Sequence, residues 1–205
     1  MRGNVVSYID MCQKEGTSLQ RGMNFRLKGH HSVILMSVRP NAPYHDEVQA
    51  ERQSGGTLTE NGKFHQAAQR FKCGEKGPDI VQVYEKIKAG IWTDNGFFHL
   101  VDSWIVNNGT RNVFKFKLAA VESVSDESAA EEIPSRLVVR SRIIPTSVKL
   151  EVWARDGGKC VTCGASDELH FDHILPFSRG GTSVKVENVQ LLCARHNLAK
   201  SAKIQ

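Results

Sequence analysis

Cys160-Val161-Thr162-Cys163, His170-Phe171-Asp172-His173-Ile174-Leu175-Pro176, Asn188-Val189-Gln190-Leu191-Leu192 and Cys193-Ala194-Arg195-His196-Asn197 follow one another in the last quarter of this chain. Two close-set pairs of soft ligands around a compact insert are how a chain builds a tetrahedral zinc site. Cys193-x-x-His196 repeats the knuckle Cys160-x-x-Cys163, and three cysteines alone would leave zinc short of its fourth ligand. Cys160, Cys163, Cys193 and His196 are therefore expected to hold a structural Zn²⁺. The insert also carries an Asp-His pair on an apolar strand pattern, which a purely structural knuckle would not need. One site reads as structural and the other as chemical.

Outward from that stretch, Ile144-Pro145-Thr146-Ser147-Val148 sets up a helix with proline in its first turn, running through Val152 and Trp153 to Asp156-Gly157-Gly158. With it, the ordered set becomes Val152-Trp153-Ala154-Arg155-Asp156, Cys160-x-x-Cys163-Gly164, Asp172-His173-Ile174-x-Pro176, Ser178-Arg179-Gly180-Gly181, Asn188-x-Gln190 and Leu192-Cys193-x-x-His196-Asn197-x-x-Lys200. This set resembles the HNH nucleases (ββα-metal, or His-Me finger) over about residues 148–203. The resemblance implies phosphodiester hydrolysis with one divalent ion, Mg²⁺ or Mn²⁺, and a neutral histidine as base.

Two readings of His196 follow. Taken literally, His173, Asn188 and His196 spell H-N-H and make His196 a ligand of the catalytic ion. Spacing favours the other reading, because a histidine cannot serve two metals through one nitrogen. Asn197, one residue on, offers an amide oxygen, a hard ligand suited to Mg²⁺ beside Asp172. The catalytic set is then Asp172, His173, Asn188 and Asn197, similar to the HNN variants of the family, with Asn188 bracing the loop that bears the base. Asp172 and His173 are adjacent, so on a strand they point to opposite faces, and the strand is expected to end or bend there. Arg179, Arg195 and Lys200 are expected to contact phosphates, whereas Arg155 could pack or cap within its own helix. His170 is either an orienting residue or a surface strand histidine.

The net charge of +5 is patterned. Residues 1–118 carry +5, residues 119–135 carry −5, and residues 136–205 carry +5. Two basic bodies about an acidic spacer suit a polyanion such as double-stranded DNA, although ordinary solvated surfaces would look the same. Residues 119–135 are too poor in apolar side chains to form a core. The expected domains are thus 1–118, a linker at 119–141, and 142–205. Five cysteines, mostly in metal spacing, point to a reducing, cytoplasmic setting rather than a disulfide scaffold. No apolar run approaches the ~20 residues that span a bilayer, and the first ten residues lack a signal-peptide core.

Earlier in the chain, residues 1–31 are poorly patterned. His31-Ser32-Val33-Ile34-Leu35-Met36-Ser37-Val38 reads as a strand buried on both faces. Phe64, Ala67, Ala68 and Phe71 mark one face of a helix. Strands follow at about 80–87, 96–106 and 112–118, the last two joined through Asn107-Asn108-Gly109. Lys115 and Lys117 share a strand face, a basic stripe able to meet phosphates. Trp92, Phe97, Phe98 and Trp104 are expected in the core, and Cys12 and Cys73 as buried thiols.

The order of these pieces resembles SRA (YDG) domains. The residues that carry the likeness are Gly29-His30-His31-Ser32-Val33-Ile34-Leu35-Met36-Ser37, Tyr44-His45-Asp46-Glu47, and Val83-Tyr84-Glu85 through Gly96-Phe97-Phe98 to Val113-Phe114-Lys115-Phe116-Lys117-Leu118. Two departures stand out. The Tyr-Asp-Gly signature appears as Thr93-Asp94-Asn95-Gly96, and the loop for the second half of a base pocket is short. The resemblance implies recognition of DNA with a flipped, modified cytosine. Tyr44 could stack such a base and Asp46 or Glu47 could accept from its N4 amine, or all three could be ordinary loop residues.

The expected architecture is α+β: an SRA/PUA-like curved sheet or barrel, then a zinc-stabilised ββα-metal domain. The expected function is a DNA endonuclease directed to modified cytosine. The alternatives are an HNH nuclease of homing, phage or toxin type, or a zinc-stabilised nucleic-acid-binding module without cleavage. One such site cuts one strand, so a double-strand break requires a homodimer or two binding events.

Overall fold

The computed structural model describes residues 3–20, 22–27, 29–36, 50–107, 109, 112–121 and 142–200. The fold is mixed α+β. In chain order the elements are β1 (Asn4–Val6), α1 (Tyr8–Glu15), β2 (Met23–Asn24), β3 (His31–Met36), α2 (Glu60–Lys72), β4 (Asp79–Lys88), β5 (Ile91–Asn107), β6 (Asn112–Ala120), α3 (Thr146–Arg155), β7 (Leu169–His173), β8 (Val189–Cys193) and α4 (Ala194–Lys200). Short 3₁₀ turns lie at Phe177–Arg179 and Val186–Asn188. Two compact units emerge: Met1–Ser7 with Ile87–Asn95 and Glu122–Gln205, and Tyr8–Lys86 with Gly96–Val121. The first thus takes in two stretches that the sequence reading assigns to the N-terminal domain. Long-range strand pairing, invisible in local pattern, is the reason.

In the unit that contains the C-terminal stretch, α3 starts behind Pro145, whose fixed φ suits helix entry. Val148 and Val152 lie one turn apart and are buried with Leu169, Phe171, Val189 and Leu191 of the β7–β8 hairpin. The hairpin runs antiparallel from Leu169 opposite Cys193 to His173 opposite Val189. β1 lies along the other edge of β7 through Asn4 and His170, and Trp92–Asp94 pair with β1 in turn. The Arg155 guanidinium donates to the Val186 and Val189 carbonyls at 2.9 and 2.7 Å, while Asp156 Oδ2 accepts from Leu191 N at 2.9 Å. Together these bonds lock the end of α3 onto β8.

Lys149 of α3 is 1% exposed. Its ammonium donates to Asn95 Oδ1 at 2.8 Å and Thr93 Oγ1 at 3.2 Å. A buried ammonium without acceptors would be costly, so these bonds pin the 93–95 stretch to the helix. Lys149→Met is expected to lower stability by about 1–3 kcal/mol, because it removes charge-assisted hydrogen bonds from a buried site. Urea denaturation of the full chain measures this, and an unchanged midpoint would contradict it.

In the other unit, β3 and β4 are parallel from His31 opposite Val81 to Met36 opposite Lys86, with α2 as the crossover between them. Thr59 caps α2 by accepting from Gly62 N at 3.0 Å, and Phe64, Ala67 and Ala68 face inward. β5 pairs with β6 from Phe98 opposite Ala120 to Asn107 opposite Asn112, with a register shift between Leu100 and Asp102. Such an irregularity bends a strand and raises its twist. Among the described residues no pairing of β2 with β6 closes a barrel.

α1 escaped the sequence reading because it lacks an apolar stripe: Met11 and Glu15 are its buried residues. Glu15 is held by Tyr84 Oη at 2.8 Å, His30 Nε2 at 3.0 Å and Arg26 Nη2 at 3.0 Å. Three more expectations need correction. Phe98 is buried, but Phe97 and Trp104 are 40% and 45% exposed, and Cys73 is an exposed thiol. Among the described residues, no helix is long and apolar enough to cross a membrane.

Candidate active site and metal cluster

The two knuckles meet. Cys160, Cys163, Cys193 and His196 bring their Sγ and Nδ1 atoms within 4.8 Å of one another. Cys160 and Cys163 come from the turn after α3, Cys193 from the end of β8 and His196 from the first turn of α4. The Cys163–Cys193 sulfurs are 3.8 Å apart, and Cys160 Sγ is 3.5 Å from His196 Nδ1. A tetrahedral ion at ~2.3 Å from sulfur and ~2.0 Å from nitrogen has ligand–ligand edges of about 3.8 and 3.5 Å. The donor set could therefore hold a metal ion of zinc's size and coordination. Burial pushes the Cys160 thiol up, but backbone hydrogen bonds at Cys193, Thr162 and Cys163 outweigh it and bring it down to about 6. A thiolate is the ligand form of cysteine.

The second constellation gathers where β7 ends. Leu169, Phe171 and His173 share one face of the strand, and His170 and Asp172 share the other. The strand stops at His173, so the histidine escapes the core that Phe171 enters. His173 Nε2 lies 2.9 Å from Ser183 Oγ. Burial holds the imidazole below its usual value; Asp172 opposes this, while Arg142 and Lys200 reinforce it. Burial thus favours the neutral ring, the form that proton abstraction requires.

Asn188 ties the segment beyond β7 into a loop. Its Oδ1 accepts from Leu175 N at 2.8 Å, and its Nδ2 donates to the carbonyls of Leu175 at 3.2 Å and Thr182 at 2.9 Å. Its own carbonyl accepts from Ile174 N at 2.8 Å. A Cβ on Gly181 would collide with the Leu175 carbonyl, so glycine is required for the loop to close this tightly. Ser183 follows two residues later and meets His173.

Asp172 accepts from Lys200 Nζ through Oδ2 at 2.6 Å, and no hydrogen bond reaches Oδ1 among the described residues. Asn197 sits three residues before Lys200 on α4, hence on the same side of the helix, and its amide has no hydrogen-bond partner among the described residues. An uncommitted carboxylate oxygen with an uncommitted amide fits a hard divalent ion.

Of the expected phosphate contacts, Arg179 and Arg195 are exposed, and Arg195 Nη2 lies 3.9 Å from Cys163 Sγ. Lys200 is corrected: it is 3% exposed and engages Asp172 instead of solvent. His170 is also buried, and that burial lowers its pKa. Lys115 and Lys117 are exposed on β6, opposite Trp104 and Asp102. Tyr44, Asp46 and Glu47 lie outside the described residues. Ser183 was missed, since a lone serine in a polar loop carries no signal; its place beyond Gly180-Gly181 is the sole sequence hint.

Residues 160–203 match the HNH endonuclease family. This segment is an HNH endonuclease domain. The protein is accordingly an enzyme of the nuclease class, hydrolysing phosphodiester bonds. No curated protein matches the chain. Among solved structures, it is similar to a "Modification dependent TagI restriction endonuclease" at 19% identity and a TM-score of 0.38, over 97% of this chain and 76% of that one. It is also similar to the "Type IV phosphorothioation-dependent restriction endonuclease ScoMcrA" at 15% identity and a TM-score of 0.41, over 99% of this chain and 60% of that one.

Proposed function

We propose that the HNH domain is the cutting half of a DNA endonuclease whose N-terminal part directs it to modified cytosine. The observation that carries the nuclease half is His173 at the end of β7, tethered to Ser183 beside Asp172 and held below its usual pKa by burial. In this reading, Ser183 holds Nε2 and leaves Nδ1 to take a proton from the attacking water. Asn188 keeps the loop closed, so the imidazole does not rotate away from the phosphate. Asp172 and Asn197 would hold one Mg²⁺ or Mn²⁺, which when bound supplies Lewis-acid stabilisation of charge at the scissile phosphate. Cys160, Cys163, Cys193 and His196 would hold a structural Zn²⁺ that fixes α4 against β8.

The directing half rests on the likeness of residues 1–118 to SRA domains, with residues 119–141 as linker and 142–205 as the nuclease. Tyr44 with Asp46 or Glu47 would engage the flipped base, and Lys115, Lys117, Arg179 and Arg195 the phosphates. A homodimer would cut both strands.

Matched plasmids bearing cytosine, 5-methylcytosine or 5-hydroxymethylcytosine test both halves when incubated with Mg²⁺, Mn²⁺ or EDTA. Cleavage of a modified plasmid is expected with either ion, and none with EDTA. Equal cutting of all three plasmids would end the modified-cytosine reading, and cutting in EDTA would end the one-metal reading.

A further inference from the structure

Lys200 is the last residue of α4, and its side chain is 1% exposed while Asp172 keeps 20%. The ammonium makes two charge-assisted contacts. It donates to Asp172 Oδ2 at 2.6 Å and to the backbone carbonyl of His173 at 2.5 Å. These acceptors belong to consecutive residues, so one cation grips the dipeptide on which the proposed chemistry depends. Lysines are rarely buried unless paired, and this one is committed entirely to that dipeptide among the described residues. At its other end α4 begins directly after Cys193 and includes His196. One short helix therefore joins the Cys-His cluster to Asp172-His173.

We propose that Lys200 is a positioning residue for the divalent-ion site, clamping the Asp172 carboxylate and the His173 peptide so that ligand and base keep one geometry. The inference rests on the proposed metal-dependent reading of that site. Lys200 occupies Oδ2 and leaves Oδ1, with the amide of Asn197, to the ion. Its second bond fixes the His173 peptide plane, from which the imidazole projects toward Ser183. A lysine that merely neutralised a buried carboxylate would have no need of the carbonyl. A surface phosphate contact would not be buried.

The clamp has a signature that simple support of the fold lacks. The Lys200 ammonium beside Asp172 repels a dication, so removing it should leave ion binding intact or tighter. The same removal frees the dipeptide, and misplacing catalytic groups by about 1 Å costs about 10²-fold in rate. Affinity and turnover should thus move apart.

The test uses the full chain, Lys200→Met and Lys200→Arg, with Mn²⁺ binding read by electron paramagnetic resonance alongside zinc content, melting temperature and single-turnover cleavage at saturating Mn²⁺. Lys200→Met is expected to keep its zinc and to bind Mn²⁺ at least as tightly as the parent, by up to about tenfold. It should cleave about 100-fold more slowly. Lys200→Arg, which retains a cationic donor, should recover at least tenfold of that loss. Unchanged turnover in Lys200→Met would overturn the clamp. So would a loss of rate that tracks loss of zinc or of melting temperature in both variants. A parent chain that neither binds Mn²⁺ nor cleaves would instead sink the metal-dependent reading, and the clamp with it.

Discussion

His173→Ala is expected to slow cleavage by about 10²–10⁴-fold while the dissociation constant for DNA stays within about twofold. The asymmetry follows from the site. His173 faces Ser183 at the close of β7 and is partly shielded by its own loop, so it offers a proton acceptor rather than binding surface. Losing it removes an interaction made in the transition state and leaves ground-state contacts in place. Single-turnover cleavage set against a gel-shift titration measures both quantities. A loss of binding as large as the loss of rate would assign His173 to the interface.

His196→Ala and Asn197→Ala should fail in opposite ways, although the residues are neighbours. His196 Nδ1 stands 3.5 Å from Cys160 Sγ and 3.2 Å from Cys193 Sγ, inside the thiol cluster. Its removal should release zinc and melt the domain, because structural zinc sites contribute about 10–16 kcal/mol of apparent binding free energy that is also folding free energy. Asn197→Ala should leave zinc content and melting temperature unchanged and lower the rate, with partial rescue by Mn²⁺. A folded, zinc-replete, inactive His196→Ala with a largely active Asn197→Ala would instead make His196 a catalytic ligand. Elemental analysis, thermal melts and cleavage on both variants separate the two.

The soft-ligand cluster was legible because its signal is local and chemical. Cys-x-x-Cys and Cys-x-x-His put two donors within reach of one ion whatever lies between, and the fold had only to bring two knuckles together. The helix at Phe64 and the alternation of Phe114 and Phe116 were legible for the same reason, since periodicity is written in consecutive residues. What escaped was everything decided by distant partners. Nothing near Lys200 distinguishes a lysine that enters the protein from one that leaves it; Asp172, in β7, decides. Trp104 looked like core because its composition is apolar, yet it ends half exposed opposite Lys115. Glu15 and Lys149 invert the usual rule, each a charged residue buried against acceptors or donors from far along the chain.

β1 bears on how the enzyme is made. Asn4 pairs with His170, so this strand is synthesised roughly 160 residues before the one it must lie against. At about 5–20 residues per second, the ribosome leaves β1 waiting on the order of ten seconds or more for β7. The unit built from Tyr8–Lys86 and Gly96–Val121 is complete well before then and can condense while the Asp-His dipeptide is still inside the translation machinery. Nuclease chemistry is thereby withheld until β7 has been made and has met β1. It also follows that residues 142–205, expressed alone, would lack the β1 edge and the 93–95 stretch that Lys149 grips. Such a fragment would expose an unpaired β7 edge and tend to aggregate.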